Sequence, residues 1–297
     1  MAYSQETLVR RVFNLLEITH DFFGAISDAG GIDASVTTVG VNDGTEWADG
    51  DLVEFQPDGE LARVTGVSAN NLTVVRGVFG TTAATHADTD SIIKNPAITR
   101  QMVKDSIQET FQGLWPMVWK VGTDTVTPLA NTEWYDTDAL IMDLVAVNQL
   151  WTSGSTTKLG IFGDKGGEKP VIFSKNLPTA LVASGKGIAF PGGIYHVSNN
   201  INITYRTPFL GSLSGSNYSE ISDGPAVDVL AYGAATRIAM GKEAPKTVLE
   251  DQAQGEHNTG AGDRLALATF LDNKFRRALN NWSDQLWLES PPMGVVA

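Results

Sequence analysis

A chain of 297 residues, 42% hydrophobic and 19% charged, is long enough for two or three compact units and apolar enough to fold, which excludes a disordered chain. It contains no cysteine, which excludes disulfides, thiolate metal sites and thiol nucleophiles. A formal net charge of −13 excludes a protein that grips nucleic acid by neutralising phosphates, because that mode needs clustered Lys and Arg.

Met1 to Gln5 runs straight into a helical pattern with no basic and then apolar leader, so no secretory signal is expected. Residues 4 to about 20 place Leu8, Val12, Leu15, Leu16 and Thr19 on one face, with Ser4 at the N-cap position. Asp21, Gly24 and the Asp28-Ala29-Gly30-Gly31 cluster mark the exit of this first helix. From Ser35 to Lys94 the period changes to short β-branched runs, Val36 to Val41, Leu52 to Phe55, Leu61 to Val67, Leu72 to Val75 and Ile92 to Ile93. Turn residues separate them: Asn42-Asp43-Gly44, Asp49-Gly50-Asp51, Pro57-Asp58-Gly59 and Asn70-Asn71. Pro96 opens a second helix with the stripe Ile98, Met102, Val103, Ile107, Thr110, Phe111 and Leu114, and Pro116 ends it.

A second β-rich region runs from Met117 to about Ser216, with strands predicted at Val118 to Val121, Ala139 to Val147, Lys158 to Phe162, Pro170 to Phe173, Ile188 to Phe190 and Ile194 to Tyr205. Its longest apolar run, Leu140 to Trp151, is broken by Asp143, Asn148 and Gln149, so no membrane span is expected. Phe209 to Ser219 has loop composition. Asp223 can then cap a third helix with the face Val227, Leu230, Ala231, Ala234 and Ile238, and Gly241 can end it. After a polar stretch from Pro245 to Gly262, a last helix aligns Leu267, Leu271, Phe275, Ala278, Leu279, Trp282 and Leu286 and stops at Pro291-Pro292. The order predicts an α+β fold: the N-terminal, central and C-terminal helices form a helical bundle core, and two β-rich regions are inserted into it. The divisions are 1–34 (N-terminal helix of the core), 35–95 (small β module), 96–116 (core helix), 117–216 (second β-rich domain) and 217–297 (C-terminal helices and extended tail).

No catalytic, cofactor-binding or metal-binding residues are predicted. His20, His86, His196 and His257 lie far apart and form no His-x-x-x-His pair. Gly163-Asp-Lys-Gly-Gly167 and Gly185-Lys-Gly187 lack Walker spacing and the hydroxyl after Lys, so both read as turns. Gly211-Ser-Leu-Ser-Gly215 has no serine at the centre of a nucleophile elbow. The acids Asp43, Glu46, Asp49 and Asp51 miss the alternating register of a calcium loop and read as hairpin-turn residues. A pair of carboxylates for glycoside hydrolysis is spatial and stays open at this level. Trp134, Tyr135, Trp151, Tyr195 and Tyr205 suit a sugar site, but at strand positions they read as core.

Gly50-Asp-Leu-Val-Glu-Phe55, Leu61-Ala-Arg-Val-Thr-Gly-Val67, Leu72-Thr-Val-Val-Arg-Gly-Val-Phe-Gly-Thr81 and Ala84-Thr-His86 together resemble a β module that recurs in virion proteins of tailed phages. Physically, Gly77 and Gly80 supply a turn after the strand, and Arg76 can hold the returning backbone or an acidic neighbour. Asp223-Gly-Pro-Ala-Val-Asp-Val-Leu-Ala-Tyr-Gly-Ala-Ala-Thr-Arg237 resembles the helix of phage neck adaptor proteins, and the helix from Leu8 to Leu16 has a counterpart there. The resemblance implies a non-enzymatic head-to-tail adaptor (connector) without cofactors, located in the virion and assembled in the host cytoplasm. Such a subunit joins the portal protein to a tail-side neck protein in a homo-oligomeric ring of roughly twelve copies. DNA passes through the ring without specific binding, and an acidic lumen suits that transit. The alternatives are a tail or baseplate component, and a carbohydrate-binding receptor-recognition module carried by the second β region. Met293, Val295 and Val296, beyond Pro291-Pro292, are the candidate intersubunit arm, apolar residues able to dock on a neighbour.

Overall fold

The computed structural model describes residues 5–16, 18, 23–56, 58–129, 132–163, 169–209, 224–241 and 261–289. By contact pattern the chain forms two compact units, Met1–Thr110 with Leu213–Arg276, and Phe111–Ser212 with Arg277–Ala297.

The first unit begins with α1 (Gln5–Leu15) and continues through β1 (Phe23–Ala25), β2 (Thr38–Gly40), β3 (Leu52–Phe55), β4 (Leu61–Ser68), β5 (Asn71–Val75) and β6 (Ser91–Lys94). These strands form one antiparallel sheet in the order β1-β6-β3-β4-β5-β2. In β5, Leu72 and Val74 are buried while Asn71, Thr73 and Val75 are exposed, the period of two that a half-buried strand requires. A bulge between Val64 and Gly66 shifts the β4–β5 register. Ile26, Val41, Val53, Phe55, Leu72 and Ile92 belong to the core beneath. β1 precedes the region expected to hold the module, and its three residues are too few to show a period.

α2 (Arg100–Gln112) follows the sheet, and α3 (Gly224–Met240) packs against α1. Leu8, Val9 and Val12 of α1 and Val227, Leu230, Ala231 and Ala234 of α3 are buried, and Arg11 pairs with Asp228 between the two helices. Gly233 allows a close approach, since a Cβ there would lie 2.4 Å from Thr110 Cγ2. The last helix, α4 (Ala261–Glu289), continues into the second unit.

The second unit contains β7 (Lys120–Val126), β8 (Trp134–Asp136), β9 (Asp143–Ser153), β10 (Thr156–Phe162), β11 (Ile172–Ser174), β12 (Gly187–Ala189) and β13 (Ile201–Thr207). They build a four-stranded sheet, β10-β9-β13-β7, and a three-stranded sheet, β11-β12-β8, both antiparallel. Leu144, Val147, Phe162, Ile188, Ile201 and Ile203 form the centre of its core.

The expected helical bundle core is corrected by this architecture. Thirteen strands in three antiparallel sheets outnumber the four described helices, which do not form the organising core. The stripe along α2 reads as one continuous face, yet Ile107 belongs to the first unit and Phe111 to the second. α4 divides in the same way, with Leu271 buried in the first unit and Trp282 beside Phe209 in the second. A helix stripe records that a face is buried and does not record how many cores share it. Among the described residues no helix is long and apolar enough to cross a membrane.

Val227 is 2% exposed in α3. Val227→Asp should destabilise the protein by about 3 kcal/mol or more, because it buries an unpaired charge. Thermal melts of the purified variant check this, and an unchanged melting temperature would show the face to be solvated.

Candidate functional site

The densest group of polar side chains in the first unit lies where the β3–β4 hairpin meets the chain leaving β5. Asp58 and Gly59 turn the chain into β4, with Gly59 at φ 81° and the Asp58 carboxylate accepting the Glu60 N–H at 2.9 Å. This places Glu60 inside the sheet, its side chain fully buried. Past β5, Gly77 and Gly80 adopt φ values of 64° and 80°, and the Thr81 hydroxyl donates to the Val78 carbonyl at 2.8 Å. The turn directs the chain back toward Ile32, which bridges His86.

Arg76 grips Glu60 in a fork: Nε donates to Oε1 at 2.5 Å and Nη2 to Oε2 at 2.6 Å. Its other bonds hold the backbone, from Nη1 to the carbonyls of Asp33 and Val36 and from Nη2 to that of Ala84. Thus Arg76 holds both the returning backbone and an acidic neighbour. Glu60 Oε2 also accepts the Ala84 N–H at 2.8 Å and lies 2.8 Å from His86 Nε2. Phe55 stacks on the His86 ring at 4.2 Å and faces the Arg76 guanidinium at 5.1 Å. Burial alone would raise the Glu60 carboxyl, but the bonds from Arg76, His86 and Ala84 outweigh it and hold the group at about 2.

Asp58, Glu60 and His86 bring possible metal-ligating atoms within 4.8 Å of one another. The chemistry of the group argues against a cation, because Arg76 already occupies both Glu60 oxygens and would lie beside any ion there. His86 Nε2 is turned to Glu60, and its buried Nδ1 has no partner. The cluster braces three segments of chain, with Glu60 and His86 buried and Asp58 exposed.

A second buried acid, Glu54, sits at the end of β3. Its Oε1 accepts the backbone N–H of Arg100 at 2.7 Å, tying the sheet to the first turn of α2, while buried Oε2 has no partner. Burial pushes this carboxyl up to about 7 despite the Arg100 N–H and the nearby Arg100 and Lys104 charges. In the second unit the Arg206 guanidinium packs against both Trp119 and Trp287, 4.1 and 4.3 Å from their ring centres, while the two indoles meet edge to face 5.1 Å apart. Tyr205 donates to Asp138 at 2.8 Å, and burial with that carboxylate raises its hydroxyl to about 12. Gln149 is fully buried in β9, where it binds His196 and Asn199 and fastens the loop before β13.

The aromatics weighed as a sugar site divide. Tyr135 and Tyr205 are buried in the core, whereas half-buried Trp151 and Tyr195 stack on each other with ring centres 5.3 Å apart. Trp134 lines a cleft of about 490 Å³ with Leu129, Glu133, Ile172, Pro191 and Val197. Asp43 and Asp51 cap local turns by accepting the N–H groups of Thr45 and Ala48. Lys186, in the motif that superficially matched a phosphate loop, donates to the carbonyls of Ala139 and Ile141. Met293, Val295 and Val296, together with His20, His257, most of Gly163–Gly167 and the 211–215 segment, lie outside the described residues.

Glu60 and the Arg206 cluster with Trp119 and Trp287 were missed in the sequence. The available signal for Glu60 was an acid at the mouth of a hairpin, sixteen positions before an arginine that ends the next strand. No local signal joins Trp119, Arg206 and Trp287.

The two buried carboxylates respond differently to perturbation. Arg76→Met should cost ~3–5 kcal/mol, because it leaves the Glu60 charge buried without its main partner; equilibrium denaturation measures it, and a loss below about 1 kcal/mol would show the brace to be dispensable. Glu54 acts with the opposite pH sign from an ordinary paired acid. Its folded value lies above its ordinary 4.5, so its contribution is complete below that value and is lost as pH rises through about 7. Glu54→Gln should therefore melt higher than the parent near pH 8, by up to ~3 kcal/mol in stability, and nearly equal to it near pH 5. Equal melting at both pH values would contradict this.

Comparison with protein-family models found no match to this chain, and comparison with curated proteins found none either.

Proposed function

We propose that this chain is a non-enzymatic structural subunit of a tailed-phage virion, a head-to-tail connector whose ring joins the portal protein to a tail-side neck protein and lines the DNA exit channel. The observation that carries this reading is the role of the motif behind the resemblance. Arg76, Gly77, Gly80, Thr81, Ala84 and His86 brace a β framework around Glu60, and Glu60 and His86 are fully buried. A motif consumed in this way suits a protein that works by its shape and surfaces. The net charge of −13 suits a channel wall to which DNA does not adhere. Met293, Val295 and Val296 are the proposed intersubunit arm.

Electron cryomicroscopy of particles containing the full-length chain tests the assignment. It should place a closed ring of one rotational order at the junction of head and tail. Location at the distal end, with three- or six-fold order, would support a tail or baseplate component, and absence from particles would sink the virion reading.

The cleft beside Trp134 supports a second reading, a carbohydrate-binding module. A half-buried indole lining the cleft with a neighbouring carboxylate, Glu133, can stack a sugar ring and accept from its hydroxyls. The full chain should then bind host cell-wall sugars and lose about tenfold in affinity with Trp134→Ala. No binding by the parent chain would remove this reading.

A further inference from the structure

The four-stranded sheet of the second unit has the order β10-β9-β13-β7, and every neighbouring pair in it is antiparallel. Its outer strands therefore run in opposite directions. When copies of such a sheet are related by rotation about an axis along the strands, β10 of one copy meets β7 of the next in antiparallel sense. An even number of alternating strands thus lets the ladder continue from copy to copy without a reversal.

The two outer strands are also matched in length and surface. Each has seven residues. Among the described residues, β7 pairs only with β13, and β10 pairs with β9; the far end of the β10 edge is already occupied, where Lys169 bridges Phe162 and the Tyr195 hydroxyl donates to the Ile161 carbonyl at 2.9 Å, so the stretch from Thr157 to Leu159 is the part open to a partner. Neither strand contains proline, and neither carries the bulge by which an edge is commonly protected.

Aligned over their full length, the strands set Thr157 opposite Thr125, Lys158 opposite Asp124, Leu159 opposite Thr123, Gly160 opposite Gly122 and Ile161 opposite Val121. Within the chain, Leu159 is paired with Leu150, so Leu159, Ile161 and Leu150 project from one face of the sheet, the face that also bears Val121. All four are unusually open for large apolar residues: 55% for Leu159, 44% for Ile161, 49% for Leu150 and 40% for Val121. Lys158 has no acidic partner among the described residues, and in this register it meets Asp124.

We infer that the occupant of each edge is a second copy of this chain. β10 of one subunit pairs with β7 of the next, with Leu159 against Thr123 and Lys158 against Asp124, and the second-unit sheets join into one closed intersubunit ladder. The inference deepens the ring-subunit reading and rests on it.

The chain contains no cysteine, so disulfide trapping of the full-length protein is unambiguous. Leu159→Cys and Thr123→Cys are prepared singly; both positions are exposed, and thermal melts verify that each variant folds. Directly opposed residues bring their Cβ atoms about 4.5–5.5 Å apart, close enough for ready crosslinking. An oxidised mixture of the two variants should give a dimer joined through the two introduced thiols, identified by peptide mass, while neither variant links to itself. Lys158→Glu, which sets like charges opposite each other, should weaken self-association about fivefold at low salt. Self-linking of the Leu159→Cys variant would indicate a two-fold β10–β10 contact and overturn the head-to-tail pairing. Oligomers by native mass without a link between the two variants would overturn this interface and leave the ring-subunit reading intact. A chain that stays monomeric at every concentration and forms no link would count against both.

Discussion

A carboxylate with no solvent contact loses the hydration that keeps it charged, and Glu60 stays charged because Arg76 supplies two parallel hydrogen bonds in place of water. The rest of the first unit depends on that substitution. The guanidinium that satisfies Glu60 also holds the carbonyls of Asp33, Val36 and Ala84, so a single side chain fixes the approach to β2, the mouth of the β3–β4 hairpin and the return after β5. His86 closes the far side and transmits the arrangement to Phe55 and Ile32. Such a pair confers more specificity than net stability, since its desolvation offsets much of its Coulomb attraction.

Glu54 shows the contrast within the same sheet. It meets the start of α2 through one backbone N–H, while the nearest guanidinium, that of Arg100, pairs instead with Glu6. With one oxygen bonded and the other left bare, burial dominates and raises the carboxyl to about 7. Two buried acids of one module thus sit at about 2 and about 7, and the difference follows from whether an arginine fork reaches them. Both acids tie separate segments of chain together, Glu60 through Arg76, Ala84 and His86 and Glu54 through the Arg100 N–H.

The sequence made the first module largely legible and the second much less so. β3, β4 and β5 announce themselves through β-branched alternation between Gly, Asn and Asp turns, and the role of Arg76 follows from its place before Gly77. Its partner Glu60 was hidden because an acid beside Asp58 and Gly59 looks like turn composition. In the second unit, β7 is polar along most of its length, as an edge strand can be, and only its first residues were expected as strand. β9 continues to Ser153, well past the expected Val147, because Asn148 and Gln149 resemble a break although Gln149 is buried and bonded. The bundle was expected because periodicity reports buried faces locally, while the partition of α2 and α4 between two cores is set by contacts distant in sequence.

The brace around Glu60 can be tested without a mutation. The carboxyl-carbon chemical shift of Glu60, followed by NMR against pH in the full-length protein, reports its protonation directly. The account predicts a midpoint at about 2, unchanged by added zinc. A midpoint near the ordinary 4.5, or a shift on adding zinc, would show that Arg76 does not hold the carboxylate and that the cluster is open to chemistry.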